Sequence, residues 1–113
     1  MADCLFCKMV DGEIPTDPLY DDDLVFAIHD INPRAPVHFM VIPKEHIATA
    51  REIRGEHGPL LSRIFTAATK LAKEEGVSKS GYRLAFNVGD AAGMTIHHLH
   101  LHCVGGRQLG PEG

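Results

Sequence analysis

The sequence predicts an α+β fold: one antiparallel sheet with a single long helix laid across it. Three stretches carry that expectation. Residues 59–75 have the apolar spacing of an amphipathic helix, residues 37–42 form an almost wholly apolar run, and residues 98–104 alternate histidine with apolar side chains. The chain has 113 residues, and neither repeats nor a Gly/Ser-rich linker divides it, so one domain is expected.

The elements follow in chain order. Leu5 to Val10 is a short apolar segment with helical character, and Gly12–Glu13–Ile14–Pro15 breaks it. An acidic turn, Asp21–Asp22–Asp23, precedes a strand from Leu24 to Ile28. Asn32–Pro33–Arg34–Ala35–Pro36 is a turn, because its two prolines cannot continue a ladder. Val37 to Ile42 is apolar except at His38 and reads as a central strand covered on both faces, ended by Pro43. Residues 46–54 suit a short helix leading into a loop at Gly55 and Gly58.

The long helix spans Pro59 to Glu75, with Pro59 in its first turn and Gly76 just past its end. Leu60, Leu61, Ile64, Phe65, Ala68, Leu71 and Ala72 form its apolar stripe. Tyr82 to Val88 is a third strand, and Gly89 to Gly93 is a loop of small residues. His98 to Val104 is a fourth. Its period of two sets His98, His100 and His102 on one face and Leu99, Leu101 and Cys103 on the other.

Composition narrows the function classes. The formal charge of −4 argues against a nucleic-acid polymer or an acidic membrane as partner, though not against a single nucleotide held locally. No apolar run approaches the roughly 20 residues needed to cross a bilayer. The first ten residues lack the pattern of a secretory signal, and three cysteines do not suggest a disulfide framework. The expectation is a cytoplasmic protein with reduced thiols.

Histidine is the outlying residue type: there are eight, four of them between His97 and His102. Alternate imidazoles on a strand stand roughly 7 Å apart at the backbone, close enough to flank one phosphoryl group. Near neutral pH an imidazole can attack phosphorus, donate a proton or hydrogen-bond an anion. The small-residue loop before the strand lets backbone N–H groups approach an anion. Three such histidines can also ligate a metal, and the bare pattern leaves both readings open.

The motif His98–Leu99–His100–Leu101–His102–Cys103–Val104 resembles the signature of the histidine triad (HIT) family. The stretches His29–Asp30–Ile31–Asn32–Pro33–Arg34–Ala35–Pro36–Val37–His38–Phe39 and Val41–Ile42–Pro43–Lys44–Glu45–His46–Ile47 are similar to it too, as is Gly105–Gly106–Arg107. The resemblance runs from Cys4 to about Gly110 and is closest to the Hint branch, the nucleoside phosphoramidate hydrolases. It implies a five-stranded antiparallel sheet with one long and one short helix, and a homodimer joining two sheets into ten strands.

The resemblance also implies residue roles. His100 would be the nucleophile, His102 and His98 would flank the α-phosphate, and His38 would join the same imidazole network. Asp30 would accept the ribose hydroxyls, with Ile31 beside the sugar. Asn87, Gly93, Met94 and Thr95 would meet the phosphate. Phe6, Met9, Ile14, Ile28 and His29 would line the base pocket. The implied reaction is hydrolysis of a purine nucleoside 5′-phosphoramidate (an AMP- or GMP-like substrate) through a nucleotidyl-histidine, with no cofactor needed for the chemistry. A dinucleoside polyphosphate hydrolase and a nucleotide-binding regulatory module are the alternatives.

Cys4 and Cys7 have the spacing of a zinc-knuckle arm, which alone also fits redox chemistry or packed thiols. Some relatives bind structural zinc through such a pair and two histidines, here His46 and His98. Three departures from the family pattern stand out: Met94 replaces the usual glutamine, His97 replaces a common tyrosine, and the tail Leu109–Gly113 lacks tryptophan.

Overall fold

The computed structural model describes residues 3–113. Helix α1 (Leu5–Val10) comes first, followed by β1 (Tyr20–Asp21), β2 (Val25–His29) and β3 (Val37–Pro43). Helix α2 (Gly58–Glu74), β4 (Tyr82–Ala85) and β5 (Leu101–Gly105) complete the regular elements. The five strands form one antiparallel sheet in the order β1-β2-β3-β5-β4. This is the α+β architecture the sequence predicts.

Strand alternation divides the sheet into two faces. Val25, Ala27, Phe39, Val41, Leu101 and Cys103 turn toward α2, where they meet Leu60, Ile64, Ala67, Ala68, Leu71 and Ala72 in the main core. Phe26, Met40 and Ile42 turn the other way and close a smaller cluster with Phe6 of α1. Strand β3 is therefore covered on both faces, as its unbroken apolar run requires. Phe65 of the expected stripe lies at its edge, 41% exposed, with its ring edge-on to Phe86 at 6.1 Å.

Helix α2 ends as its sequence dictates. Gly76 takes φ +83°, its N–H bonds to the carbonyl of Lys73, and the N–H of Val77 reaches back to that of Ala72. That double closure satisfies the last carbonyls and drives Val77 into the core.

Several boundaries differ from the sequence expectation. The carboxylate of Asp22 accepts the N–H groups of Leu24 and Val25 at 2.7 and 2.9 Å, so β2 starts at Val25. Burial alone would raise the pKa of Asp22. Tyr20, the two backbone donors and Arg63 outweigh it and hold the carboxyl well below its ordinary range. Strand β1, only two residues long, pairs Tyr20 with Ala27 and Asp21 with Phe26. Residues 46–54 form no α-helix. Two single-turn 3₁₀ segments, Ala50–Glu52 and Gly55–His57, stand there and beyond it, the first capped by the Thr49 hydroxyl.

The largest correction concerns the histidine strand. Ladder pairing begins at Leu101, so His98 to His100 lie ahead of β5. The Leu99 N–H bonds the carbonyl of Ile47 at 2.6 Å, and the His98 ring donates to the carbonyl of Pro43 at 2.8 Å. Those contacts draw the segment off the sheet edge. Strand β4 shortens accordingly, since its last partnered pair is Ala85 with His102.

Candidate functional site

His38 and His102 stand on the sheet face away from α2, on the adjacent strands β3 and β5. Both are buried, and His38 Nε2 lies 2.9 Å from His102 Nδ1. The proton positions follow from the neighbours. The Arg34 backbone N–H donates to His38 Nδ1 at 3.2 Å, so His38 carries its proton on Nε2. His38 then donates to His102 Nδ1, which leaves the His102 proton on Nε2. Asp30 Oδ2 lies 3.4 Å from His38 Nε2, while Asp30 Oδ1 accepts the N–H of Asn32 at 2.8 Å.

His100 has the opposite tautomer. Its Nδ1 lies 2.7 Å from the His98 carbonyl, which only accepts, so Nδ1 carries the proton and Nε2 the lone pair. Phe6 packs edge-on against His98 and His100 at 5.6 and 5.3 Å, fixing both rings.

A cavity of about 280 Å³ opens beside His100 and His102. Phe6, Met9, Ile28 and His29 line one wall; Asp30, Ile31 and Asn87 line another. Gly93, Met94 and Thr95 come from the end of the small-residue loop and the residues just after it, and Gly93 has φ +83°, a backbone conformation that favours glycine. The structure thus brings together nearly all the residues expected around a nucleotide. Ile14 lies outside this lining. His29 contributes to it, although its ring pairs with Glu75 at the end of α2, 3.1 Å away. Ile31 is 92% exposed at the cavity rim.

Leu5, Asn32, Arg34, Met40 and Ile96 also line the cavity and were not anticipated. Met40 was legible in principle, since it follows His38 by two residues on one strand and shares its face.

Burial pushes the His38, His100 and His102 imidazoles below their ordinary value. For His102 burial acts first, then the neighbouring His100 and His38, and the value falls to about 4. At neutral pH the network is uncharged. Because the unfolded value is near 6.5, the unfolded chain binds more protons between pH 6.5 and 4, and stability falls on acidification through that window. From His102 alone the loss between pH 7 and pH 5 is roughly 2 kcal/mol. Urea unfolding at the two pH values tests this: His102→Gln is expected to flatten the pH dependence, and an unchanged slope contradicts it.

His98 does not line the cavity. Its Nδ1 lies 3.2 Å from Cys4 Sγ, 3.6 Å from Cys7 Sγ and 3.1 Å from His46 Nδ1. Cys7 Sγ is 3.3 Å from His46 Nδ1, and all four donor atoms lie within 4.8 Å of one another. A tetrahedral zinc with bonds of about 2.0 Å to nitrogen and 2.3 Å to sulfur has edges of roughly 3.3–3.8 Å, close to these separations. His98 donates its outer N–H to Pro43, which turns the Nδ1 lone pair toward the cluster. The Cys4 sulfur accepts the Cys7 backbone N–H at 3.3 Å. The donor set fits zinc.

Residues 3–111 match the family model described as "Scavenger mRNA decapping enzyme C-term binding". The solved structure of a HIT family hydrolase from Legionella pneumophila Philadelphia 1 superposes with a TM-score of 0.95 at 46% identity, covering 98% of this chain and 100% of that one. This chain belongs to the histidine triad family. A histidine triad protein from Clostridium difficile superposes with a TM-score of 0.91 at 39% identity, covering 98% and 96%. The purine nucleoside phosphoramidase of Escherichia coli (strain K12) is 44% identical over 107 residues, 95% of this chain and 90% of that protein. In this histidine triad protein the triad divides: His100 and His102 face the cavity, and His98 faces the cysteines.

Proposed function

We propose that the protein hydrolyses purine nucleoside 5′-phosphoramidates through a covalent nucleotidyl-histidine. The observation that carries this is the His100 tautomer: a half-buried neutral imidazole, anchored through Nδ1 to the His98 carbonyl, with its Nε2 lone pair free in a residue that lines the cavity. The E. coli relative named purine nucleoside phosphoramidase supports the same reaction class.

The base lies among Phe6, Met9 and Ile28, with Asp30 and Ile31 at the ribose and the 93–95 loop and Asn87 at the phosphate. His100 Nε2 attacks the α-phosphorus, forming a P–N bond as the bond to the leaving amine breaks. The electron pair of that bond stays on the amine, which takes a proton from solvent water, while His38, bonded to His102 Nδ1, holds the His102 ring in place. His102 Nε2–H meanwhile steadies a phosphoryl oxygen. Water then attacks phosphorus, gives up a proton to solvent, and frees the nucleoside monophosphate and His100.

Cys4, Cys7, His46 and His98 hold a structural zinc that joins α1 to the segment leading into β5 and takes no part in the chemistry. Two copies pair along β4, the longer of the two edge strands of the sheet, to give ten continuous strands. Ligand thiols require a reducing setting, and the cytoplasm supplies it. Among the described residues no helix is long and apolar enough to cross a membrane.

A substrate panel tests the reaction. An adenosine 5′-phosphoramidate is expected to be cleaved at least tenfold more efficiently, in kcat/KM, than a diadenosine polyphosphate. The reverse order sinks the proposal.

A further inference from the structure

A second hollow of about 280 Å³ opens on the same sheet face beyond His102. It shares Arg34, Asn87 and His102 with the nucleotide cavity, so the two meet at the His102 imidazole. Three guanidinium groups line it: Arg34 from the turn before β3, Arg83 from β4, and Arg107 past the end of β5. Register fixes the placement of Arg83. It pairs with Val104, and Ala85, two residues on, pairs with His102, so all four side chains share one face.

The positive charge there is poorly compensated. Glu112 is the only acidic side chain in the lining; it is 86% exposed and comes no nearer than 3.9 Å to Arg83. The other partners are backbone carbonyls, which orient a guanidinium without neutralising it. Arg83 donates to Gly110 at 2.7 Å, and Arg107 donates to Arg34 at 2.8 Å and Gln108 at 3.1 Å. The Arg34 guanidinium has no hydrogen-bond partner among the described residues. In a chain of net charge −4 this is a local reversal of sign, and a recessed positive surface concentrates anions.

We propose that this hollow is a leaving-group subsite, and that it selects substrates whose departing amine carries an anionic substituent, a carboxylate or a phosphate. The inference rests on the phosphoramidase reading. In-line displacement sends the leaving group away from the attacking nitrogen. The hollow adjoins His102 but not His100, as a site for a group departing away from the nucleophile requires. Guanidinium forks bind both anions through charge-assisted hydrogen bonds.

The experiment uses the full-length protein and three adenosine 5′-phosphoramidates with leaving amines of equal length. One amine ends in a carboxylate, one in a phosphate and one in a neutral carboxamide. Wild type is expected to favour an anionic amine over the carboxamide by roughly tenfold in kcat/KM, about one charge-assisted hydrogen bond. The ranking of carboxylate and phosphate identifies the anion. The preference is expected to shrink in Arg34→Gln and in Arg83→Gln, and to weaken with added salt. Arg34→Gln leaves every hydrogen bond of the tail in place, so it serves if Arg83→Gln does not fold. Equal cleavage of all three by wild type, or a preference unchanged in folded Arg34→Gln, overturns the subsite alone. If none is cleaved, the phosphoramidase reading fails and the subsite falls with it.

Discussion

His100→Asn is expected to lower turnover by roughly 10⁴-fold or more while nucleotide binding stays within about threefold of wild type. The asparagine amide can still donate to the His98 carbonyl that anchors the imidazole, so the local backbone keeps its partner. What disappears is the lone pair on Nε2. Asp30, Ile31, Phe6 and the 93–95 loop are untouched, so the groups that hold base, ribose and phosphate remain. A single-turnover experiment read by intact mass is decisive. Wild type mixed with substrate and quenched in alkali, where a phosphorus–histidine bond survives, should gain the mass of one nucleotidyl group, and the variant should gain none. Turnover above about a hundredth of wild type in the variant removes His100 from the nucleophile's role.

That prediction depends on a division of the triad which alternation alone does not contain. A period of two makes His98, His100 and His102 equivalent. The structure makes them unequal: Pro43 and the Cys4–Cys7 pair, distant in sequence, claim His98, the neighbouring His98 carbonyl orients His100, and distant His38 faces His102. The same tertiary hydrogen bonds take residues 98–100 out of the ladder, which is why the expected strand began three residues too early. Strand β1 escaped notice for another reason, since Tyr20–Asp21 is too short to show a period and its aspartate reads as turn.

Features with strong local signals came through. The apolar stripe of α2, its glycine stop and the doubly covered β3 each depend on spacing within one segment. The nucleotide cavity draws on residues spread along the chain from Leu5 to His102, so the resemblance to a family located it and periodicity did not. The arginine hollow was missed because Arg34, Arg83 and Arg107 are ordinary surface residues in sequence. They converge only when the turn before β3, strand β4 and the chain beyond β5 are brought side by side.

The other large effect concerns the Cys/His cluster. The untreated protein is expected to carry about one zinc per chain, and Cys4→Ser to carry almost none. Burial first, and then neighbouring Cys4, push the Cys7 thiol up to about 11, so two adjacent thiolates at neutral pH need a cation to hold them. Binding therefore expels protons, and metal affinity falls in acid. The zinc would bind the folded chain far better than the unfolded one, so its removal by a strong chelator is expected to lower the melting temperature by about 10 °C or more. Substitution with Co(II) gives a second readout, since two thiolates and two imidazoles in a tetrahedron yield intense visible absorption bands. The loss should also reach the nucleotide. Phe6 lies between Cys4 and Cys7 in sequence, packs on His98 and His100, and lines the cavity. Releasing α1 frees that wall, so nucleotide affinity should weaken severalfold while the lone pair on His100 stays in place. Zinc content near zero in protein purified without chelator would sink the site. It would also return His98 to the question of whether it has any part in the chemistry.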